Sequence, residues 1–143
     1  MEKLLISACL MGENCKYNGG NNALPPEQLA ALRARFELVP VCPEQLGGLP
    51  TPRVPSERRG ARVVNREGAD VTEAFRSGAE QALRIAEQAG CRRALLKSNS
   101  PSCGSGSIYD GSFSGRLTAG DGVAAALLKH SGIEVFGSIQ GLF

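Results

Sequence analysis

The sequence predicts an α/β fold in which a mostly parallel sheet carries helices on both faces. Two observations indicate it. Short apolar runs typical of buried strands alternate along the chain with segments whose apolar residues recur every three or four positions. The length of 143 residues suits one domain, and neither an internal repeat nor a linker divides it. We therefore expect residues 1–143 to form a single domain.

Four apolar runs are the predicted strands. They are Lys3–Ala8, Phe36–Val41, Arg93–Lys97 and Ile133–Phe136. The first run also resembles the cleavage box of a bacterial lipoprotein, in the letters LISAC. Its apolar part, Leu4–Ile6, is too short for a signal peptide, which needs about 7–15 such residues. The run is therefore predicted to be a buried strand of a cytoplasmic protein.

Two helices are predicted from their start and stop signals. Pro25 and Pro26 open the first of them. Its apolar positions are Leu29, Leu32 and Phe36. Asp70 and Glu73 have the spacing of a capping box and start the second helix, which ends at Gly90. Its apolar stripe is Val71, Phe75, Ala79, Ala82 and Ala86.

A third helix is predicted from another capping-box spacing, from Thr118 to Asp121. Val123 and Leu127 are expected to face the core, and Gly132 is expected to end the helix. With the strands, these three helices give the alternation on which the predicted fold class depends.

Charge and hydropathy argue against two classes of partner, nucleic acids and membranes. Sixteen Lys and Arg against fourteen Asp and Glu give a formal net charge of +2, which argues against nucleic acid binding. No apolar run approaches the roughly 20 residues that span a membrane. The segment Cys42–Arg62 is rich in Pro and Gly and is predicted as a loop without a helix or central strand. Its three clustered cations, Arg58, Arg59 and Arg62, are predicted to be solvated.

The five cysteines are the unusual feature of the composition, because they accompany a single histidine. An odd number of cysteines in a chain long enough to bury a core argues against a disulfide framework. Reduced thiols then serve metal binding, catalysis or packing. Cys91 lies between a helix and a strand, and we expect it to pack as a small hydrophobic residue.

Three of the cysteines follow predicted strands. Cys9 comes after the first strand, Cys42 after the second, and the segment Ser98–Cys103 after the third. Because ligands in parallel sheets bind outside the carboxyl ends of the strands, we expect these thiols to meet at one edge of the sheet.

Residue types leave several chemistries open for this edge. The absence of a C-x2-C pair disfavours structural zinc, whereas iron–sulfur clusters tolerate dispersed thiolate ligands. A metal-free nucleophile at Cys103 would need a base, and the only histidine, His130, lies late in a helix. Glu44 is the carboxylate best placed to exchange protons at this edge.

The neighbouring polar residues have weaker signals. Ser100 could donate its hydroxyl to a substrate, although most loop serines only stabilise turns. Lys97 and Arg53 could offset the negative charge of a cluster or substrate, and their roles stay open.

Four segments together resemble the thiouracil desulfidase (TudS-like) family, formerly a domain of unknown function. They read CLMGENCKYNGG, VCPEQLGGLPTPR, GADVTEAF and LKSNSPSCGSGSIYDGSFSG. The resemblance runs from about Ile6 to the C-terminus. It implies a Rossmann-like domain with a [4Fe–4S] cluster held by three cysteines, whose fourth iron is free to take the sulfur of a thiocarbonyl substrate.

The resemblance also implies roles for particular residues. Cys9 and Cys103 match cluster ligands, and Cys42 is preferred to Cys15 as the third, since the family pattern tolerates other residues at the position of Cys15. The residues that match the family's catalytic positions are Glu44 and Ser100. The chain reads K-Y-N-G at residues 16–19 where the family usually has R-Y-D-G, which removes an acid at that point.

The implied activity is a non-redox desulfuration of 4- or 2-thiouracil to uracil and sulfide. Glu44 would activate a water and Ser100 would hydrogen-bond the base. The implied partners are a thiouracil or thionucleoside substrate and the cluster-assembly machinery. Two other functions stay open, a non-catalytic Fe–S or zinc protein and a desulfidase for thiouridine in nucleosides or tRNA. The oligomeric state is not predicted.

Overall fold

The computed structural model describes residues 1–143 and contains eight strands and four α-helices. In chain order these are β1 (Glu2–Ser7), α1 (Pro26–Arg35), β2 (Phe36–Val41), α2 (Pro43–Leu46), β3 (Ser56–Arg59), β4 (Arg62–Asn65), α3 (Thr72–Ala89), β5 (Arg93–Leu95), β6 (Ser107–Tyr109), β7 (Leu117–Ala119), α4 (Val123–His130) and β8 (Glu134–Phe136). Short 3-10 helices cover Ala8–Met11 and Ile139–Leu142.

The central sheet has four strands in the order β2-β1-β5-β8, and every neighbouring pair is parallel. Two antiparallel hairpins, β3 with β4 and β6 with β7, lie outside this sheet. The predicted α/β architecture with a mostly parallel sheet is therefore confirmed. None of the helices is long and apolar enough to cross a membrane.

Strand β1 is buried on both of its faces. Leu5 points into a core formed with α3 and α4, whereas Leu4 and Ile6 point into a second core formed with α1 and the C-terminal 3-10 helix. Because successive side chains of a strand point to opposite faces, an uninterrupted apolar run is what such a strand requires. Helices thus cover both faces of the sheet, as predicted.

Helix α1 differs from its prediction in where it ends. Leu32 is the only fully buried residue of α1, and Leu29 is half-buried. Phe36, predicted as the next inward position of the helix, is the first residue of β2. The chain passes directly from helix to strand at this residue, so its ring packs under the sheet from an extended backbone.

Helix α3 has the predicted buried stripe at Phe75, Ala79, Ala82 and Ala86. Its start does not form the predicted capping box. Asp70 accepts hydrogen bonds from the backbone N–H and the hydroxyl of Thr72, while Glu73 pairs with Arg76 instead of reaching back. Val71 precedes the helix. At the other end, Gly90 has a φ of 78°, the left-handed conformation that closes many helices.

The predicted start of the third helix, now α4, is wrong. Thr118 lies in β7, and Asp121 accepts hydrogen bonds from Gly106 and Lys129 instead of capping a helix. Helix α4 begins at Val123, whose N–H donates to the carbonyl of Pro101 at 2.8 Å.

The inward face of α4 also differs from the prediction. Val123 and Leu127 are half-buried, and the fully buried residues are Ala124, Ala125 and Leu128. The tertiary contact that starts α4 at the 101–103 turn also sets its rotation, which no local spacing encodes.

The segment predicted as a loop, Cys42–Arg62, contains the one-turn helix α2 and the strand β3. The prediction that it holds no helix is wrong, because Pro43 occupies the first helical position, where its missing N–H costs nothing. Strand β3 does not join the central sheet, in agreement with the prediction.

Helices α2 and α3 touch through glycines. A Cβ on Gly78 would overlap the carbonyl oxygen of Pro43, and a Cβ on Gly47 would overlap the backbone of α3. The side chain of Gln81 donates to the carbonyl of Leu46 at 2.7 Å across the same contact. This close approach holds α2 against the edge of the sheet where β2 ends.

We expect Gly78→Ala to destabilise the protein by about 1–3 kcal/mol, because the added methyl group overpacks this contact. An alanine in an ordinary helix interior would instead stabilise by up to about 1 kcal/mol. Urea denaturation of the variant measures the change in the free energy of unfolding. Glu80→Ala, at an exposed position of α3, is the control and should change it little. A Gly78→Ala protein as stable as the parent would contradict the packing described.

Candidate active site

The carboxyl ends of β1, β2 and β5 border a cavity of about 430 Å³. Four of the five cysteines line it: Cys9, Cys15, Cys42 and Cys103. The fifth, Cys91, is buried in the core beneath α3 and α4, as predicted. The structure therefore brings together the three cysteines that follow the strands and adds Cys15 to them.

The strand register places these thiols. Ser7 at the end of β1 lies opposite Val41 of β2, so the chain leaves both strands at the same level. Cys9 then sits in the 3-10 helix after β1, and Cys42 directly precedes α2. Cys103 lies in the turn after β5, where its N–H donates to the hydroxyl oxygen of Ser100 at 2.7 Å.

Burial raises the pKa of every thiol for which a shift is resolved in this cavity. It raises the pKa of Cys103 to about 12 and that of Cys15 to about 12. For Cys9, burial raises the pKa most, and the nearby thiol of Cys42 raises it further. Without a metal these groups are therefore neutral thiols. A metal displaces their protons when it binds, because the thiolate is the form that binds metal.

Cys15 and Cys42 are neighbours. The Cys42 Sγ lies 3.9 Å from the Cys15 carbonyl oxygen, and burial followed by the charge of Cys42 raises the pKa of Cys15. The same carbonyl accepts a hydrogen bond of 2.9 Å from Arg53. Both candidates for the third ligand thus lie at the cavity.

Glu44 lines the cavity from the first turn of α2, and its pKa is raised by burial. Arg53 opposes this shift, since its Nε lies 3.4 Å from Glu44 Oε1. The Glu44 side chain is 19% exposed and the Arg53 side chain is 6% exposed. A carboxyl group that is destabilised as an anion by burial and stabilised by one arginine is suited to exchange a proton.

Arg53 also links the segments around the cavity. Besides Glu44 and the carbonyl of Cys15, it donates to Thr51 Oγ1 at 2.9 Å and to the carbonyl of Pro50 at 3.2 Å. Its own N–H donates to the carbonyl of Tyr17 at 2.7 Å. The arginine therefore holds the Cys15 loop against the segment that follows α2.

Ser100 and Lys97 lie at the same cavity. The Ser100 oxygen accepts the Cys103 N–H, and its own hydroxyl hydrogen has no acceptor within the protein. Lys97 Nζ donates to the carbonyl of Ser98 at 3.1 Å, and burial raises the pKa of Cys9 although the charge of Lys97 partly opposes this rise.

Comparison with known proteins identifies the family of this chain. A family model described as 2-thiouracil desulfurase matches residues 4–139. The chain belongs to this family.

Two relatives extend the comparison. The uncharacterized protein YbbK of Bacillus subtilis strain 168 is 44% identical over 142 residues, which cover 92% of this chain and 93% of YbbK. A solved structure of the [4Fe-4S]-dependent thiouracil desulfidase TudS is 49% identical, with a TM-score of 0.90. The match covers 95% of this chain and 90% of that one.

The thiols of this desulfurase family member suit an iron–sulfur cluster. They form a soft sulfur donor set with no histidine among them. Iron–sulfur clusters are held by cysteine thiolates, which need not be close together in sequence. The four thiols at the cavity therefore fit such a cluster.

One wall of the cavity was not predicted from the sequence. It is formed by β3 and the segment 109–115, and its members at the cavity include Glu57, Tyr109 and Phe113. Glu57 is only 8% exposed and lies between two residues that resemble surface groups, Ser56 and Arg58. No local pattern distinguishes it from a solvated glutamate, because its burial depends on the distant segment 109–115.

Arg58, Arg59 and Arg62 were all predicted to be solvated, and this prediction is wrong for the first two. Arg58 donates to the carbonyl of Asp121, and Arg59 donates to the carbonyl of Gly111 at 2.8 Å. Only Arg62 forms an exposed ion pair, with Asp70. The first two arginines therefore fasten β3 to other segments.

Proposed function

We propose that this single-domain protein removes the sulfur of thiouracil, giving uracil and sulfide, at a [4Fe–4S] cluster held by Cys9, Cys42 and Cys103. The observation that carries the proposal is the meeting of these thiols with Glu44 and Ser100 in one cavity. Family membership and the 49% identity to a [4Fe-4S]-dependent thiouracil desulfidase support it. When bound by three cysteines, the cluster supplies one iron with an open position that binds and polarises the thiocarbonyl sulfur.

Glu44 is the proposed general base. Its carboxylate takes a proton from the water that attacks the carbon bearing the sulfur. The water oxygen forms the new carbon–oxygen bond, the carbon–sulfur bond breaks, and the sulfur leaves as hydrogen sulfide with the two protons of the water. The pKa of Glu44 is raised by burial, which makes the carboxylate a stronger base than an exposed glutamate. Arg53 holds Oε1 of the carboxylate and keeps it on the cavity side of α2.

Ser100 is the proposed donor to the substrate. The Ser100 oxygen already accepts the Cys103 N–H, which restrains the orientation of the hydroxyl group. Its hydrogen is left to donate to the pyrimidine ring of the substrate. The same hydrogen bond ties the proposed donor to a proposed cluster ligand. A substrate held by Ser100 is thus held at a set position relative to the thiols.

Cys42 is proposed as the third ligand in preference to Cys15. Cys42 directly follows β2 of the central sheet and directly precedes the helix that carries Glu44. It is half-buried like Cys9, whereas the backbone of Cys15 is held by a hydrogen bond from Arg53 to its carbonyl. A cluster bound through Cys42 would therefore lie beside the proposed base.

The proposed partners follow from this chemistry. They are a thiouracil or thionucleoside substrate and the machinery that assembles iron–sulfur clusters. The proposed location is the cytoplasm, because free thiols persist in a reducing compartment.

Glu44→Gln should keep the cluster and lose turnover by at least about 100-fold, because the amide has the same shape but cannot take the proton. Sulfide release from 4-thiouracil measures turnover, and iron analysis measures cluster content. Glu37→Gln, on the exposed side of β2, is the matched control and should retain both. Normal desulfuration by Glu44→Gln would show that this carboxylate is not the base.

Serine substitutions should separate ligands from packing cysteines, since a hydroxyl group is a much harder and weaker ligand for iron. We expect Cys9→Ser, Cys42→Ser and Cys103→Ser each to lose most of their iron. Cys15→Ser and the core control Cys91→Ser should retain it. Iron content after anaerobic purification is the measurement. If Cys15→Ser loses iron and Cys42→Ser keeps it, the proposed third ligand is wrong.

A further inference from the structure

The wall of the cavity formed by β3 and the segment 109–115 contains a buried carboxylate that the mechanism above does not use. Glu57 lines the cavity and is 8% exposed. None of the five ion pairs in the structure includes it. Buried carboxylates without a cationic partner are uncommon, because burial of an unpaired charge is costly. The charge of Glu57 is instead stabilised by backbone N–H groups.

One oxygen of Glu57 holds the neighbouring loop. Glu57 Oε1 accepts the N–H groups of Gly111 at 2.9 Å and of Phe113 at 3.1 Å. Arg59 adds a hydrogen bond of 2.8 Å to the carbonyl of Gly111. These contacts fix a backbone in which Phe113 has a φ of 56°, a left-handed conformation that aromatic residues rarely adopt.

The held loop presents an aromatic ring to the cavity. Phe113 lines the cavity, and the guanidinium groups of Arg59 and Arg66 lie 6.0 and 5.7 Å from its ring centre. A planar heterocycle can stack on such a ring. Glu57 therefore holds the strained backbone of Phe113, whose flat apolar ring lines the cavity.

The other oxygen of Glu57 is free. Oε2 accepts no hydrogen bond within the protein, yet no buried side-chain oxygen of the structure lacks a partner, so Oε2 is not sealed from solvent. The residue that carries this oxygen borders the cavity. A carboxylate oxygen accepts hydrogen bonds and donates none.

We propose that Glu57 is a specificity-determining residue, whose Oε2 accepts a ring N–H of the pyrimidine while Phe113 stacks on the ring. The inference rests on the proposed function and names the part of the substrate that this wall recognises. Thiouracil and uracil both carry N–H groups on a flat ring. A site built to accept an N–H discriminates strongly against a ligand that lacks it, since the acceptor is then left unpaired.

Glu57→Gln separates recognition from loop support. The amide oxygen can still accept both backbone N–H groups, but an NH2 donor replaces the free carboxylate oxygen and opposes the substrate N–H. We expect KM for 4-thiouracil to rise by about tenfold or more, with kcat and iron content within about twofold of the parent. Asp110→Asn, a carboxylate that supports the same loop outside the cavity, is the matched control.

Equilibrium binding of uracil to the cluster-loaded protein gives a second readout that does not depend on turnover. Uracil, 1-methyluracil and 3-methyluracil are titrated into the parent and into Glu57→Gln. In the parent, methylation of one ring nitrogen should lower affinity by about tenfold or more, and this difference should vanish in Glu57→Gln. Unchanged uracil affinity in a folded Glu57→Gln protein would overturn the inference.

The parent series decides the matter if Glu57→Gln fails to fold. A parent protein that binds all three pyrimidines equally would overturn the role of Glu57, and loss of affinity on one methylation supports it. Failure of the proposed function is distinguishable, because it would remove sulfide release from the parent itself. Uracil affinity is measured without turnover, so the two failures are told apart even in a parent that releases no sulfide.

Discussion

Parallel pairing of β1 with β2 and β5 is the constraint on which the site depends. Parallel strands end on the same edge of a sheet, so residues far apart in sequence leave it together. The register that sets Ser7 beside Val41 brings Cys9 and Cys42 to one level. The N–H of Lys97 then donates to Ser7 Oγ at 2.9 Å, which ties the end of β5 to the same edge.

Around this edge, close backbone contacts and two buried charged side chains fix the reacting groups. Glycines let α2 approach α3 closely, and the short helix places Glu44 at the cavity. Arg53 joins the helix to the Cys15 loop. On the other wall, Glu57 joins β3 to the segment 109–115. Two buried charged groups thus organise the cavity, one beside the thiols and one beside the ring of Phe113.

The fold class and the meeting of Cys9, Cys42 and Cys103 could be predicted because they depend on strand ends, which apolar runs reveal. What failed depended on contacts between distant segments. Thr118 has capping-box spacing but lies in β7. A spacing of this kind also occurs in strands, so the local pattern did not distinguish the two structures. Glu57 resembles a surface glutamate until the segment 109–115 covers it. The sequence alone could not separate these outcomes.

Removal of sulfur from a thiocarbonyl substrate by this protein requires a cluster at the cysteine-lined edge. The iron and acid-labile sulfide content of anaerobically purified protein, followed by product analysis after addition of 4-thiouracil, tests this requirement. We expect about four iron and four sulfide per chain, with uracil and new sulfide formed in equal amounts. Protein that holds only zinc, or that holds the cluster and leaves 4-thiouracil unchanged, would contradict the account.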